Sequence, residues 1–230
     1  LLRAPGGWPW DAEQTHESIR RNFLEETCEA VEAIDNHDMP ALREELGDVL
    51  MQVIFHAQME AEVGGFTMRD VIDGLCRKLV YRHPHVFSDV KVANSDEVLT
   101  NWEALKRQEK AQRSTADAID AVAKTLPALW RAEKMESKAA KAGFAWPEGS
   151  DGALRKLEEE VGELRAAVES GSVDGRHGVR EEVGDVLFMA AQVAQSHGVD
   201  PEAALHAACD KFARRFRSVE EGADGTPLTE

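Results

Sequence analysis

The stretch "REELGDVL" occupies residues 43–50, and "REEVGDVL" occupies 180–187; only Leu46 against Val183 differs. Each copy sets a glycine, Gly47 or Gly184, between an acidic residue and an aspartate. A glycine in mid-helix costs about 1 kcal/mol relative to alanine. A segment written twice with that cost implies a duplicated structural or chemical need. The expected answer is that the bare backbone lets a neighbouring helix or a bulky ligand approach between the acidic positions.

The duplication extends outward from this stretch. "FLEETCEAVEA" (23–33) matches "LEEEVGELRAA" (157–167), so that Glu25, Glu26 and Glu29 fall on Glu159, Glu160 and Glu163. "CRKLVYRH" (76–83) matches "CDKFARRF" (209–216), placing Cys76, Lys78 and Arg82 over Cys209, Lys211 and Arg215. Three matched blocks in the same order indicate an internal repeat. Its spacing is uneven: 15 residues separate Glu29 from Glu45, and 18 separate Glu163 from Glu182. The extra length falls in "SGSVDGRHG" (170–178), a loop composition.

The periodicity is helical almost throughout. It predicts helices over 15–35, 40–62 and 68–82 in the first half, with Leu24, Cys28 and Val31 on one apolar stripe and Leu42, Leu46, Val49, Val53 and Ala57 on another. Pro40 suits a first turn, Thr67 a cap, and His83-Pro84 a stop. The second half predicts helices over 151–169, 177–196 and 200–220, the last capped by Asp200 before Pro201. Between the halves, 95–112 and 128–142 read as helices and "QRSTADAID" (112–120) as a looser connection. The expected organisation is a first module over 1–93, a helical connector over 94–127, a second module over 128–219 and a disordered tail over 220–230.

Composition narrows the function classes. There are 43 acidic and 27 basic residues, a net charge of −16, which repels nucleic-acid polymers and anionic membranes. A small phosphate ligand remains possible where a divalent cation bridges the two. No apolar run approaches the ~18 residues of a membrane span, and no signal-peptide pattern is visible. Cys28, Cys76 and Cys209 are odd in number, dispersed and set in apolar helical patterns. They read as buried thiols in a reducing, cytoplasmic compartment.

The chemistry concentrates on the acidic pairs. Glu26 and Glu29 are i, i+3 on one helix, and Glu45 and Asp48 are i, i+3 on the next. Both pairs flank apolar stripes, so antiparallel packing brings four carboxylates together. Their mutual repulsion is costly, and a hard divalent cation such as Mg²⁺ reverses its sign. An isolated ExxE pair is usually a solvated face; ExxE followed by ExxD, twice, against core stripes, is far more specific. Lys78 with Arg82, and Lys211 with Arg215, are i, i+4 at the ends of the third helices. They suit either the helix dipole or phosphate oxygens. Lys134 and Lys138 add positive charge. Trp8, Trp10 and Trp146 sit beside helix entries, as core lids or as platforms for a base. His16, His83 and His85 lack zinc spacing and read as structural or surface residues.

ExxE, 15 or 18 residues, then ExxD, with "EELGDVL" and "EEVGDVL", resembles the MazG family of nucleoside triphosphate pyrophosphohydrolases. "PWDAEQTHESI" (9–19), "RHPHVF" (82–87) and "DKFARRF" (210–216) resemble further blocks of its two-domain members. The resemblance implies an all-α fold of two tandem four-helix modules, a homodimer, and hydrolysis of NTPs or dNTPs between the α and β phosphates. The products are NMP and pyrophosphate, the cofactor is Mg²⁺ with Mn²⁺ as a substitute, and the role is nucleotide-pool house-cleaning. Carried over by position, the implied metal ligands are Glu160, Glu163, Glu182 and Asp185 in the second half and Glu26, Glu29, Glu45 and Asp48 in the first. Lys211 and Arg215 match phosphate-contacting positions, Lys134 matches another, and Lys78, Arg82 and Trp146 are further nucleotide-binding candidates. Glu159 or Glu25, if free of metal, is left to accept a proton. The resemblance favours the second half as the active one. "GRHGVREE" (175–182) departs from it, with Gly178 where the family has a lysine four residues before Glu182. The rivals are a pyrophosphohydrolase of narrower nucleotide specificity, a catalytically silent helical module that binds nucleotide or a protein partner, and an acidic bundle with no ligand.

Overall fold

The computed structural model describes residues 2–88, 94–109, 114–144 and 149–222. Among them every regular element is an α-helix, and no helix is long and apolar enough to cross a membrane. The chain divides into two compact units, Leu1–Lys106 and Arg107–Glu230. The stretch read as a connector is thus shared between them.

The first unit holds α1 (Pro9–Glu13), α2 (Arg20–Asp35), α3 (Met39–Glu62), α4 (Met68–Arg82), α5 (Pro84–Phe87) and most of α6 (Ser95–Glu109). Local chemistry sets the boundaries. Asp38 caps α3 by accepting from the Ala41 amide at 3.0 Å, with Pro40 in the first turn. Thr67 and Asp70 form a reciprocal capping box on α4. The tight turn between α2 and α3 makes them an antiparallel pair, sealed by Ala30 and Ala33 of α2 and Ala57 of α3. Arg3 ties the start of the chain to α3 through Glu62 at 3.0 Å.

The second unit holds α7 (Thr115–Asp120), α8 (Ala128–Lys141), α9 (Ser150–Ser170), α10 (Val179–Ser196) and α11 (Pro201–Gly222). Part of the expected loose connection is therefore a helix: Ser114 and Asp117 form a capping box, and Ala118 packs it into the core. α9 and α10 pair as α2 and α3 do, with Ala153, Ala167 and Ala191 buried. α8 contacts α7, α10 and α11. Asp200 caps α11, accepting from the amides of Glu202 at 2.9 Å and Ala203 at 3.0 Å. The Trp130 indole of α8 also donates to Asp200, at 2.9 Å, tying α8 to the start of α11. α11 continues to Gly222, so the expected tail begins within a helix, and residues 223–230 lie outside the described residues.

Two expectations about burial are corrected. The seams use alanine, whose small side chain lets two helices close together, so the larger residues beside it stay outside. Leu46 is 55% exposed, and Leu24 and Val31 are exposed as well. Cys28, Cys76 and Cys209 are likewise exposed. α4 buries no residue, and α11 buries only Pro201. The apolar faces that carry these thiols are uncovered within each unit.

Candidate functional site: two carboxylate clusters

In each unit the helix pair gathers glutamates. Oxygens of Glu26, Glu29 and Glu45 lie within 4.8 Å of one another in the first unit, and those of Glu160, Glu163 and Glu182 do so in the second. Pairing about a turn explains this: Glu29 and Glu45 stand at similar distances from the α2–α3 turn, so antiparallel packing sets them opposite each other. Asp48 and Asp185 lie outside these tight groups but within electrostatic reach. Burial, then Asp48, then Glu29 push the Glu26 carboxyl above its usual range. Burial, then Glu160 and Glu182, push Asp185 up, and burial with the same two glutamates pushes Glu163 up. Glu45 is raised by burial, Glu29 and Asp48.

The second cluster is the deeper. Glu182 is 1% exposed and Glu160 7%. Glu182 Oε1 meets His177 Nδ1 at 3.3 Å, while its Oε2 is buried without a partner among the described residues. An ionised carboxylate oxygen left dry and unpaired is unfavourable. Lys156, which sequence reasoning missed, supplies the compensating charge that is present. Its ammonium sits 2.9 Å from Glu159 and 2.8 Å from Glu160, and these hydrogen bonds, Glu160 first, hold its pKa above the usual lysine range. The i, i+3 and i, i+4 spacing to Glu159 and Glu160 was the available signal. Asn22 stands at the corresponding position of the first repeat. There Gln52, buried, hydrogen-bonds Glu26 instead.

The Gly178 departure has a steric cause. A Cβ there would lie 2.9 Å from the Val173 carbonyl oxygen and 3.0 Å from the Asp174 carbonyl carbon. No lysine fits this backbone. The loop presents His177 to Glu182 from a left-handed conformation, φ 60°.

The remaining candidates divide. Lys211 and Arg215 are exposed on α11 and make no ion pair among the described residues. Lys134 is exposed on α8. In the first unit, Lys78 is exposed, whereas Arg82 lies over the Trp102 ring at 5.6 Å. Glu25 is paired with Arg21 at 2.8 Å. Trp8 and Trp10 are exposed, 5.9 Å apart, and do not act as core lids; Trp146 lies outside the described residues. His16 meets His56 at 2.7 Å and Glu60 at 2.8 Å, a local structural contact. Among the described residues, beyond the glycine's own helix backbone and chain neighbours, nothing comes within 4 Å of a Cβ placed on Gly47 or Gly184. The expected approach of a neighbouring helix is therefore not met within a unit among the described residues.

An all-α chain with one such cluster on a helix pair in each repeat matches the MazG nucleotide pyrophosphohydrolase domain twice, over residues 14–87 and 149–219. The chain belongs to that family. It is 43% identical over 220 residues to a nucleoside triphosphate pyrophosphohydrolase of Escherichia coli K12, covering 95% of this chain and 83% of the relative. It is 41% identical over 220 residues to a nucleoside triphosphate pyrophosphohydrolase/pyrophosphatase MazG of Thermotoga maritima, covering 96% and 82%. A nucleoside triphosphate pyrophosphohydrolase of Mycobacterium tuberculosis is 45% identical over 145 residues, covering 62% and 43%.

Proposed function

We propose that the protein hydrolyses nucleoside triphosphates between the α and β phosphates, releasing NMP and pyrophosphate, and that the second unit carries the activity. The observation that carries this reading is Glu182, buried with one unpartnered oxygen beside Glu160 and Glu163. The names of the relatives support the substrate class.

The donor set fits a hard divalent cation, Mg²⁺ or Mn²⁺: the gathered atoms are carboxylate oxygens, and burial, then Glu160 and Glu182, raise Glu163 and Asp185. Glu160, Glu163, Glu182 and Asp185 would hold it, and Glu26, Glu29, Glu45 and Asp48 form the equivalent set in the first unit. When bound, such a cation supplies Lewis acidity toward phosphate oxygens and toward water. The chain supplies the rest. Glu159 is the carboxylate beside the cluster left to take a proton from the attacking water. Lys156 holds Glu159 and Glu160 in place at 2.9 and 2.8 Å. Lys211 and Arg215, without ion-pair partners among the described residues, are available to phosphate oxygens, arginine through its fork and lysine as a point charge; Lys134 is a further cation on the neighbouring α8.

Two copies of the chain pair, on this reading, through the uncovered apolar faces. Leu46, Leu50, Met51 and Ile54 are exposed on α3, and Val183 and Leu187 on α10. Gly47 and Gly184 lie within these stripes, where a helix of a second copy can approach closely. Contiguous exposed apolar residues of this kind mark interaction surfaces. Neither nucleic-acid polymers nor membranes are among the proposed partners, given the net charge of −16.

The test is product analysis with Mg²⁺ and the common NTPs and dNTPs, comparing wild type, Glu182→Gln and Glu45→Gln. NMP with pyrophosphate is expected, reduced by roughly 10²- to 10³-fold in Glu182→Gln and much less in Glu45→Gln. Full activity in Glu182→Gln would place the chemistry elsewhere.

A further inference from the structure

A second unpaired carboxyl lies in the same unit, outside the metal cluster. Glu136 of α8 is 6% exposed, and neither of its oxygens has a hydrogen-bond partner among the described residues. It lines a cavity of about 330 Å³ walled by Ile119, Phe144, Phe188 and Met189. Glu160 and Asp185 line that same cavity. Thus one space joins an apolar compartment, a buried carboxyl and two residues of the carboxylate cluster. Its volume is at the small end for ligand sites, suited to the base and sugar of a nucleotide and not to a whole triphosphate.

We propose that this cavity receives the nucleoside part of the substrate and that Glu136 reads the Watson–Crick edge of the base. The inference rests on the reading of the second unit as the hydrolytic site. Aromatic and thioether walls suit the faces of a flat ring. A buried acid with no partner in the free chain is a group waiting for a ligand's polar edge.

The protonation state decides which edges fit. Burial first, then the nearby Glu133, push the Glu136 carboxyl up to about 8, so the group is largely neutral at physiological pH. A neutral carboxyl presents one O–H donor beside one carbonyl acceptor. Every common base carries an adjacent acceptor and donor on its pairing edge: N1 and the amino group of adenine, N3 and the amino group of cytosine. Guanine offers O6 and N1–H, and uracil or thymine O4 and N3–H. A neutral Glu136 therefore closes a two-bond ring with any of them. An ionised carboxylate only accepts, and would favour guanine, whose N1–H and amino group are both donors. The cavity thus predicts broad base acceptance.

The experiment compares pyrophosphate release from ATP, CTP, GTP and UTP with release from ribose 5-triphosphate, which lacks a base. Wild type, Glu136→Leu and Glu136→Gln are assayed with Mg²⁺. Wild type is expected to prefer the four nucleotides over the base-free substrate. Glu136→Leu should lose that preference by roughly 10- to 100-fold, mainly through KM. Glu136→Gln, whose amide keeps a donor beside an acceptor, should recover most of it. Unchanged KM for all four nucleotides in Glu136→Leu overturns this inference alone. Equal loss on ribose 5-triphosphate and on the nucleotides shows a structural role and also overturns it. Failure of the wild-type protein to hydrolyse either class overturns the underlying functional reading, and this inference with it.

Discussion

Replacing Glu136 by glutamine changes how stability depends on pH, and the magnitude follows from its environment. The folded carboxyl titrates at about 8 against an ordinary value of 4.5. A raised acid pKa means that the folded state keeps a proton the unfolded state has released. Below about pH 4.5 both states are protonated and the group is neutral in its effect. Between about 4.5 and 8 the unfolded state ionises alone, so stability falls as pH rises, by up to about 1.4 kcal/mol per pH unit. Over the whole window the loss is on the order of 5 kcal/mol at most. It is smaller wherever water reaches the ionised group. Glutamine does not titrate and retains the shape. The variant should match wild type near pH 4.5 and exceed it by several kcal/mol near pH 8. Urea titrations at three pH values, with EDTA present to remove divalent cations, measure this. Trp130, on the same helix, reports the second unit once the other tryptophans are replaced by phenylalanine. A difference between variant and wild type that stays constant across the window would refute the reasoning.

Further expectations follow from the same geometry. Lys156→Met removes the cation that compensates Glu159 and Glu160; pyrophosphate release should fall by on the order of 10²-fold, with far-ultraviolet circular dichroism unchanged. Gly178→Ala forces a Cβ to 2.9 Å from the Val173 carbonyl oxygen, and should destabilise the second unit by about 1–3 kcal/mol, read as a lower urea midpoint. A Cβ on Gly184 meets nothing within 4 Å among the described residues; for Gly184→Leu, sedimentation should show a weaker form of the proposed dimer with helix content preserved, and unaltered self-association would remove this glycine from the proposed interface.

The helices were legible because their signals are local. Thr67 and Asp200 act within one turn of their helices, and the structure places each cap where the residue type requires it. The pairing of Glu26 and Glu29 with Glu45 was legible for a related reason. Two helix periods and a short turn leave one antiparallel arrangement that sets these glutamates opposite each other across the alanine seam. The short α7 was missed because its capping box lies in a stretch whose composition reads as loop.

What the sequence by itself determined is the all-α architecture, the repeat and the three glutamates that gather in each unit, since helical period and duplicated spacing carry all three. Tertiary structure alone decided burial. Alanine seams close the helix pairs, so the larger apolar residues and all three cysteines face outward. Tertiary structure also separated chemically identical glutamates. Glu182 is sealed with an orphaned oxygen, Glu159 is paired with Lys156, and Glu136 lines a cavity with Phe188, Met189, Glu160 and Asp185. The physical reason is that a carboxyl's charge and partners depend on what surrounds it, and those surroundings come from helices distant in sequence.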